Sequence, residues 1–363
     1  MPETDHEKYM KRCLELASRA EGLTFPNPLV GSVIVSEGRI IGEGYHCRAG
    51  EPHAEVNAIA SVKERSLIPS SVLYVSLEPC SHYGKTPPCA NLILDEGIKK
   101  VVVGTIDTSD KVAGQGVALL RDSGVDVISG VLDDECRRIN RRFFSFHEKK
   151  RPYITLKWAQ STDGFIDADR KPGYVTGPNW ITGMPERTLV HKWRSEEEAI
   201  LVGAGTIRTD NPSLNVRYWT GRDPLRIILS RTGKTGGYPG KNQTKGTVIV
   251  FSEVAGDINS KEKRRLLKKN VPAARQITEE LYRMGIQSLL VEGGASVLNH
   301  FIAAGMWDEA RIFTGKTCFG SGIEAPLIKG INHGSARFKY SDLQIVLNDN
   351  NILDPIDILH NYI

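Results

Sequence analysis

The sequence predicts two α/β domains in series, and three observations carry that expectation. Helical and strand patterns alternate along the first half after an opening helix and hairpin, the order that builds a three-layer sheet with helices on both faces. A polar run ended by Pro, Glu148-Lys149-Lys150-Arg151-Pro152, then interrupts the pattern. A fresh strand at Tyr153 restarts it with no internal repeat of the first half. The chain's 363 residues suffice for two domains of ordinary size. The predicted boundaries are a first domain over 1–147, a linker over 148–152 and a second domain over 153–363.

Element by element, His6 to Ala20 has helical spacing, with Tyr9, Cys13, Leu16 and Ala17 on one side. Phe25-Pro26-Asn27-Pro28 is a turn-rich loop. Leu29 to Val35 reads as a buried strand that turns at Ser36-Glu37-Gly38 into Arg39 to Gly44. Pro52 opens a helix whose first turn carries His53 and Glu55. Val72 to Leu77 is an alternating, β-branched strand ending at Glu78-Pro79-Cys80. Cys89 begins a helix that Gly97 stops. Lys100 to Ile106 and Val125 to Ile128 are strands around a helix over Gly116 to Ser123. A charged helix-like stretch from Asp133 to His147 closes the domain. In the second half, strands are expected at Tyr153–Trp158, Ala199–Val202, Leu225–Leu229, Thr247–Phe251, Ser288–Val291 and Leu343–Leu347. Helices are expected at Pro185–Glu196, Thr278–Met284 and Ala295–Ala304.

Composition narrows the function classes. The chain is 40% hydrophobic and 25% charged, which is globular. A net charge of +4 gives no argument for nucleic acid but tolerates a phosphorylated substrate. The polar N-terminus has no apolar signal region, and no apolar run reaches the length of a membrane span. The six Cys then read as reduced thiols. The expected compartment is the cytoplasm.

His53-Ala54-Glu55, with Cys80 and Cys89 downstream and Pro before each Cys, supplies the parts of a catalytic zinc site. Such a site uses three protein ligands, a fourth position for water and a carboxylate that moves protons. A Cys at a helix start favours thiolate. Taken singly, His53 is an ordinary histidine, each Cys a small buried hydrophobe and Glu55 a solvated helix residue. Their joint placement favours zinc. A structural zinc with His82 as fourth ligand is the other reading.

These residues resemble the zinc nucleobase deaminases, which carry H-x-E followed by P-C-x-x-C. Here the two Cys are separated by eight residues. Pro79-Cys80-Ser81-His82-Tyr83-Gly84-Lys85-Thr86-Pro87-Pro88-Cys89 is similar to the deaminase half of the bifunctional riboflavin-biosynthesis deaminase/reductases. The resemblance implies a cytidine-deaminase-like fold, zinc on His53, Cys80 and Cys89, and Glu55 as proton shuttle. It implies as substrate a diaminopyrimidinone with a ribosylamino 5′-phosphate, held by Asn27, His46, Lys85 and Asp107. Lys85 would act as a point charge toward phosphate. Ser109 stands where the family usually has an amide.

Two Gly-containing strand-to-helix turns, Val202-Gly203-Ala204-Gly205-Thr206 and Val291-Glu292-Gly293-Gly294-Ala295, suggest phosphate approach to helix starts. Neither completes a dinucleotide fingerprint. Arg194 and Arg217 are side chains able to clamp a phosphate bidentately. These segments, with Lys157-Trp158-Ala159-Gln160, Asn179-Trp180-Ile181-Thr182 and Asp210 to Arg217, resemble the reductase half of the same family. That resemblance implies a dihydrofolate-reductase-like α/β fold. It places Ala159, Trp180, Thr206, Asp210 and Gly294 on NADPH, and Lys157, Arg194, Leu214, Arg217 and Glu292 on the substrate. Thr162 and Pro178 depart from the family's pattern, and Pro178 has no hydroxyl to offer a substrate. The expected reaction order is hydrolytic deamination, then NADPH reduction of the ribosylamino group to ribitylamino. The expected partner is the small phosphorylated pyrimidine, with no nucleic acid or membrane, and a homo-oligomer formed through the reductase domain. The alternatives are a deaminase of another nucleobase with a degenerate reductase domain, or an RNA-binding protein reusing the deaminase fold.

Overall fold

A computed structural model describes residues 5–83, 87–109, 113–171, 173–174, 176–235, 247–255, 262–339 and 341–348. The chain divides into two compact units, Met1–Lys150 and Arg151–Ile363.

In the first unit, α1 (Asp5–Ser18) precedes the hairpin β1 (Gly31–Ser36) and β2 (Arg39–Tyr45). Then follow α2 (Ala54–Ser61), β3 (Val72–Leu77), α3 (Cys89–Asp95), β4 (Lys100–Thr105), α4 (Gln115–Asp122) and β5 (Asp126–Ser129). Two helices, α5 (Asp133–Ile139) and α6 (Arg141–Lys149), stand where one charged helix was expected, with Asn140 between them. Asn140 is buried because its amide is used: it accepts from Leu29 N at 2.7 Å and donates to Leu29 O at 2.9 Å. Helix α6 runs into the expected linker, leaving Lys150 in a left-handed turn.

The sheet order is β2-β1-β3-β4-β5, with β1 antiparallel to both neighbours and β3, β4 and β5 parallel. Strand alternation sorts the core into two layers. Ile34, Leu73, Val75, Val101 and Val103 pack with α2, α3 and α4 residues Ile59, Ile93 and Leu120. Val33, Val35, Tyr74 and Val102 pack on the other face with Met10, Cys13 and Cys136. This is the expected three-layer arrangement.

In the second unit, β6 (Tyr153–Gln160) and β7 (Phe165–Ala168) lead to α7 (Met184–Glu196), β8 (Ala199–Gly203) and α8 (Ala204–Asp210). β9 (Leu225–Leu229), β10 (Val248–Ser252), β11 (Glu262–Leu266), α9 (Ala273–Arg283), β12 (Ser288–Val291) and α10 (Ala295–Ala303) follow. β13 (Glu309–Gly315), β14 (Gly322–Glu324), β15 (Ile331–Arg337) and β16 (Ser341–Leu347) complete it. The main sheet runs β11-β10-β9-β8-β12-β6-β13-β16-β15. It is parallel from β11 to β13 and antiparallel at β16 and β15.

Strand β13 escapes periodicity because it buries charge. Arg311 and Glu309 are both fully buried, ion-paired with each other, and the Arg311 guanidinium stacks on Trp193 at 4.6 Å.

One close approach positions the first site. A Cβ on Gly44 of β2 would lie 2.3 Å from Ala58 N and 2.6 Å from Ala54 O. Only glycine lets α2, which carries Glu55, lie this close to the sheet. The variant Gly44→Ala is expected to lose about 1–3 kcal/mol of stability through forced backbone shifts. Urea unfolding, with zinc counted per chain after dialysis, checks both this loss and the accompanying weaker metal retention.

Candidate active sites

The first site is assembled at the carboxyl end of β3 and the start of α2. His53 is the N-cap residue of α2, in extended conformation, and Glu55 follows within the first turn. His53 Nδ1 lies 3.6 Å from Cys80 Sγ and 3.3 Å from Cys89 Sγ. The three ligand atoms all fall within 4.8 Å of one another. Tetrahedral zinc with ordinary Zn–S and Zn–N bonds places N and S about 3.6 Å apart, so this donor set fits the ion. It leaves the fourth position of a catalytic site, and His82 is absent from the cluster.

Cys80 does not begin a helix, as the sequence suggested; it lies in the loop after β3. The helix dipole reaches it nonetheless, because Cys89 N, at the start of α3, donates to Cys80 Sγ at 3.3 Å. Contacts from the Cys89 thiol, His53 and that amide pull the Cys80 pKa down to about 4, and the same pairing with burial drives Cys89 up. Glu55 is 3% exposed, and burial, reinforced by Cys80, pushes its carboxyl up to about 7.

Asn27 and His46 join this centre. The Asn27 amide nitrogen lies 3.0 Å from His46 Nε2. His46 Nδ1 lies 3.1 Å from the Pro52 carbonyl, which can only accept, so the ring proton sits on Nδ1 and Nε2 accepts from Asn27. The His46 ring packs edge-on to His53 at 5.4 Å. Burial lowers the His46 pKa, keeping this tautomer neutral. Lys85 lies outside the described residues.

Asp107 is brought in by a residue that sequence reasoning passed over. Glu78 is buried, and its carboxylate accepts four backbone N–H groups: Asp107 at 3.2 Å, Gly114 at 2.9 Å, Gly116 at 2.8 Å and Val117 at 3.0 Å. It ties the Cys80 segment to the loop carrying Asp107 and to the start of α4. Asp107 in turn accepts from Ser109 N at 2.7 Å, so Ser109 contributes its backbone here. The signal available in the sequence was a Glu between a buried strand and Pro-Cys.

In the second unit, a cleft of about 910 Å³ opens at the carboxyl ends of β6, β8, β9 and β12. Ligands of parallel α/β sheets bind at such ends. Lys157, Ala159, Trp180, Arg194, Thr206, Asp210, Leu214, Arg217, Glu292 and Gly294 all line it. The starts of α8 and α10 face it through Gly205 and Gly294. A Cβ on Gly205 would meet nothing within 4 Å, and one on Gly294 only Thr206 Oγ1 at 3.5 Å. The volume, the open glycine turns and the first-turn amides of α10 fit a dinucleotide with its phosphates at the helix start.

Partners differ from the expectation at two of these residues. Arg194 is not a free phosphate clamp. Its fork is spent on Glu292, at 2.7 and 2.8 Å, with a further bond to Asn215 O at 3.2 Å. Burial would raise Glu292, but Arg194 overrides it and holds the carboxyl at about 2. Asp210 is bonded to Arg170 at 2.8 Å. Trp180 stays half exposed at 53%, with the Arg187 guanidinium 4.1 Å over its ring. Arg217 is exposed and bonds Asn215 Oδ1 at 2.9 Å. Leu214 sits at φ 52°, a strained conformation for a branched side chain. Burial lowers the Lys157 pKa, and Arg194 adds to the effect against Glu292.

Fold and geometry together define a chain with a zinc-type deaminase centre in one unit and a dinucleotide-sized reductase cleft in the other. Residues 3–105 match the cytidine and deoxycytidylate deaminase zinc-binding region, and residues 152–350 match the RibD C-terminal domain. The riboflavin biosynthesis protein RibD of Aquifex aeolicus is 40% identical over 331 residues, spanning 87% of this chain and 88% of that protein. That of Escherichia coli is 33% identical, spanning 87% of this chain and 89% of its own length. A crystal structure of a diaminohydroxyphosphoribosylaminopyrimidine deaminase/5-amino-6-(5-phosphoribosylamino)uracil reductase from Thermotoga maritima superposes with a TM-score of 0.86 at 36% identity, covering 95% of this chain and 99% of that one. The chain belongs to the RibD family, the bifunctional deaminase/reductases of riboflavin biosynthesis. Its cofactors are Zn²⁺ and NADPH.

Glu78→Gln replaces two acceptor oxygens by one and faces an amide toward N–H donors. The KM for deamination is expected to rise about tenfold or more through loss of charge-assisted bonds. Zinc content should stay at one per chain. Steady-state ammonia release and metal analysis on the same preparation check this.

Proposed function

We propose that the first unit deaminates the diaminopyrimidinone bearing a ribosylamino 5′-phosphate, and that the second reduces the deaminated product's ribosylamino group to ribitylamino. The observation that carries this reading is the trio His53, Cys80 and Cys89 around a buried Glu55, in one chain with the Arg194–Glu292 cleft. When bound, zinc acidifies a water in its fourth position and NADPH supplies a hydride.

The chain's own residues do the rest. Glu55, shielded from solvent, carries one proton of the attacking water to the ring nitrogen and then the second, from the added hydroxyl, to the amine that departs as ammonia. Asn27, oriented by His46, and Asp107, held through the Glu78 amide cage, read the pyrimidine edge. In the cleft, Thr206 and the Gly294 turn hold the dinucleotide while Ala159 and Trp180 shape its wall. Arg194 fixes Glu292 as a carboxylate facing the substrate, and Lys157, beside them in the lining, is the candidate polar group for the reacting sugar carbon. Arg217, exposed at the cleft wall, is the candidate guanidinium for the phosphate.

Among the described residues no helix is long and apolar enough to cross a membrane. We place the activity in the cytoplasm and propose assembly as a homo-oligomer through the reductase unit, which sedimentation velocity reads directly.

Full-length protein given the diaminopyrimidine should release ammonia first and oxidise NADPH only afterwards. NADPH loss without prior ammonia release would overturn the order. Ammonia release with no NADPH oxidation would instead favour a deaminase with a degenerate second domain. Glu55→Gln should lower deamination about 10²–10⁴-fold while zinc binding persists; a fully active Gln variant would sink the proton-shuttle assignment. Stripping zinc with a chelator should abolish ammonia release and leave NADPH binding unchanged.

A further inference from the structure

The reductase cleft contains a donor that none of these assignments uses. His191 lies on α7, one turn before Arg194, lines the cleft and is only 3% exposed. The backbone N–H of Arg217 donates to its Nδ1 at 3.0 Å. A backbone amide can only donate, so Nδ1 carries the lone pair and the ring proton sits on Nε2. Tyr218 packs edge-on against the ring, centroids 4.7 Å apart, and fixes its plane.

Among the described residues nothing hydrogen-bonds to Nε2, yet the atom is not sealed from solvent. An oriented N–H on a buried ring therefore opens into the cleft. Burial, then Arg194 and Arg217, hold the imidazole pKa down at about 4, with Lys157 adding to them and Glu292 opposing. The ring is neutral at physiological pH, with one donor and one acceptor, and the acceptor is taken.

The surroundings select the ligand atom. Arg194 and Glu292 neutralise each other, and Lys157 and Arg217 leave this wall with positive potential. Such a field favours an anionic, oxygen-rich group, and a neutral N–H adds a directional bond without another charge to desolvate. We propose that His191 is a further substrate-binding residue of the reductase, donating Nε2–H to an acceptor oxygen on the phosphorylated sugar of the pyrimidine. This rests on the reductase reading above.

Two amide variants, each mimicking one ring nitrogen, separate this role from the structural one. Asn at this position keeps an acceptor near Nδ1 for the Arg217 amide but has no donor at Nε2. Gln places an N–H near Nε2 and gives up the Nδ1 contact. NADPH oxidation by the full chain is followed at varied pyrimidine, then at varied NADPH, alongside the melting temperature of each variant. His191→Asn should raise the KM for the pyrimidine about tenfold, the value of one hydrogen bond, with the KM for NADPH unchanged and a melting temperature lowered no more than in His191→Gln. His191→Gln should recover most of the loss.

A wild-type KM in His191→Asn overturns the proposal and assigns the residue to holding the Arg217 loop through Nδ1, which Asn preserves; an equal loss in both variants also overturns it, because it makes the ring's packing on Tyr218 responsible. ¹⁵N-histidine spectra of the wild-type chain give a readout independent of turnover: adding the pyrimidine should shift the His191 Nε2–H signal, and a signal that does not move refutes the bond. Wild-type protein that releases ammonia but never oxidises NADPH removes the reductase reading itself, a result distinct from failure of the variants alone.

Discussion

Each unit is organised by a carboxylate placed directly after a central parallel strand, Glu78 buried and Glu292 largely withdrawn from solvent. Burying such a charge costs several kcal/mol unless it is paired or fully hydrogen-bonded. Glu78 follows β3 and Glu292 follows β12. The first is satisfied by four backbone amides, the second by a bidentate guanidinium. Whatever satisfies the carboxylate must come to the carboxyl end of the strand, and this is where both sites form.

The two solutions have different consequences. Backbone amides come from a loop, so Glu78 fixes main-chain positions and delivers Asp107 to the vicinity of the zinc ligands. Gly116 makes this possible: a Cβ there would lie 1.9 Å from Pro79 O. Arg194 comes from a helix, so Glu292 fixes a side chain and with it α7, on which His191 also rides. The deaminase site is thus pinned through its loops and the reductase cleft through a helix face.

Electrostatics follow from the same burial. In the deaminase centre, Glu55 and two thiols share a small volume, and their mutual repulsion is what a divalent cation relieves. On the Arg194–Glu292 wall of the cleft the excess is positive, with Lys157 and Arg217 left over once that pair cancels. One centre is built to attract a metal and the other an anionic ligand.

The sequence alone determined the local parts. The alternation of helix and strand gave the layers, the two-residue step from His53 to Glu55 put ligand and carboxylate in one turn, and the Gly-containing turns marked the helix starts that face the cleft. Resemblance supplied the residue roles. Tertiary structure decided what spacing cannot carry. Eight residues between Cys80 and Cys89 define no register, and only folding brings both sulfurs to His53 Nδ1. The Glu78 cage reaches 29 to 39 residues downstream, and Arg194 meets Glu292 across 98. Strand β13 stayed hidden because its buried ion pair breaks the apolar pattern that periodicity detects. Periodicity reports which face of an element is buried; partners for charge are chosen by the whole fold, because a buried charge accepts any donor the topology delivers, however distant in the chain.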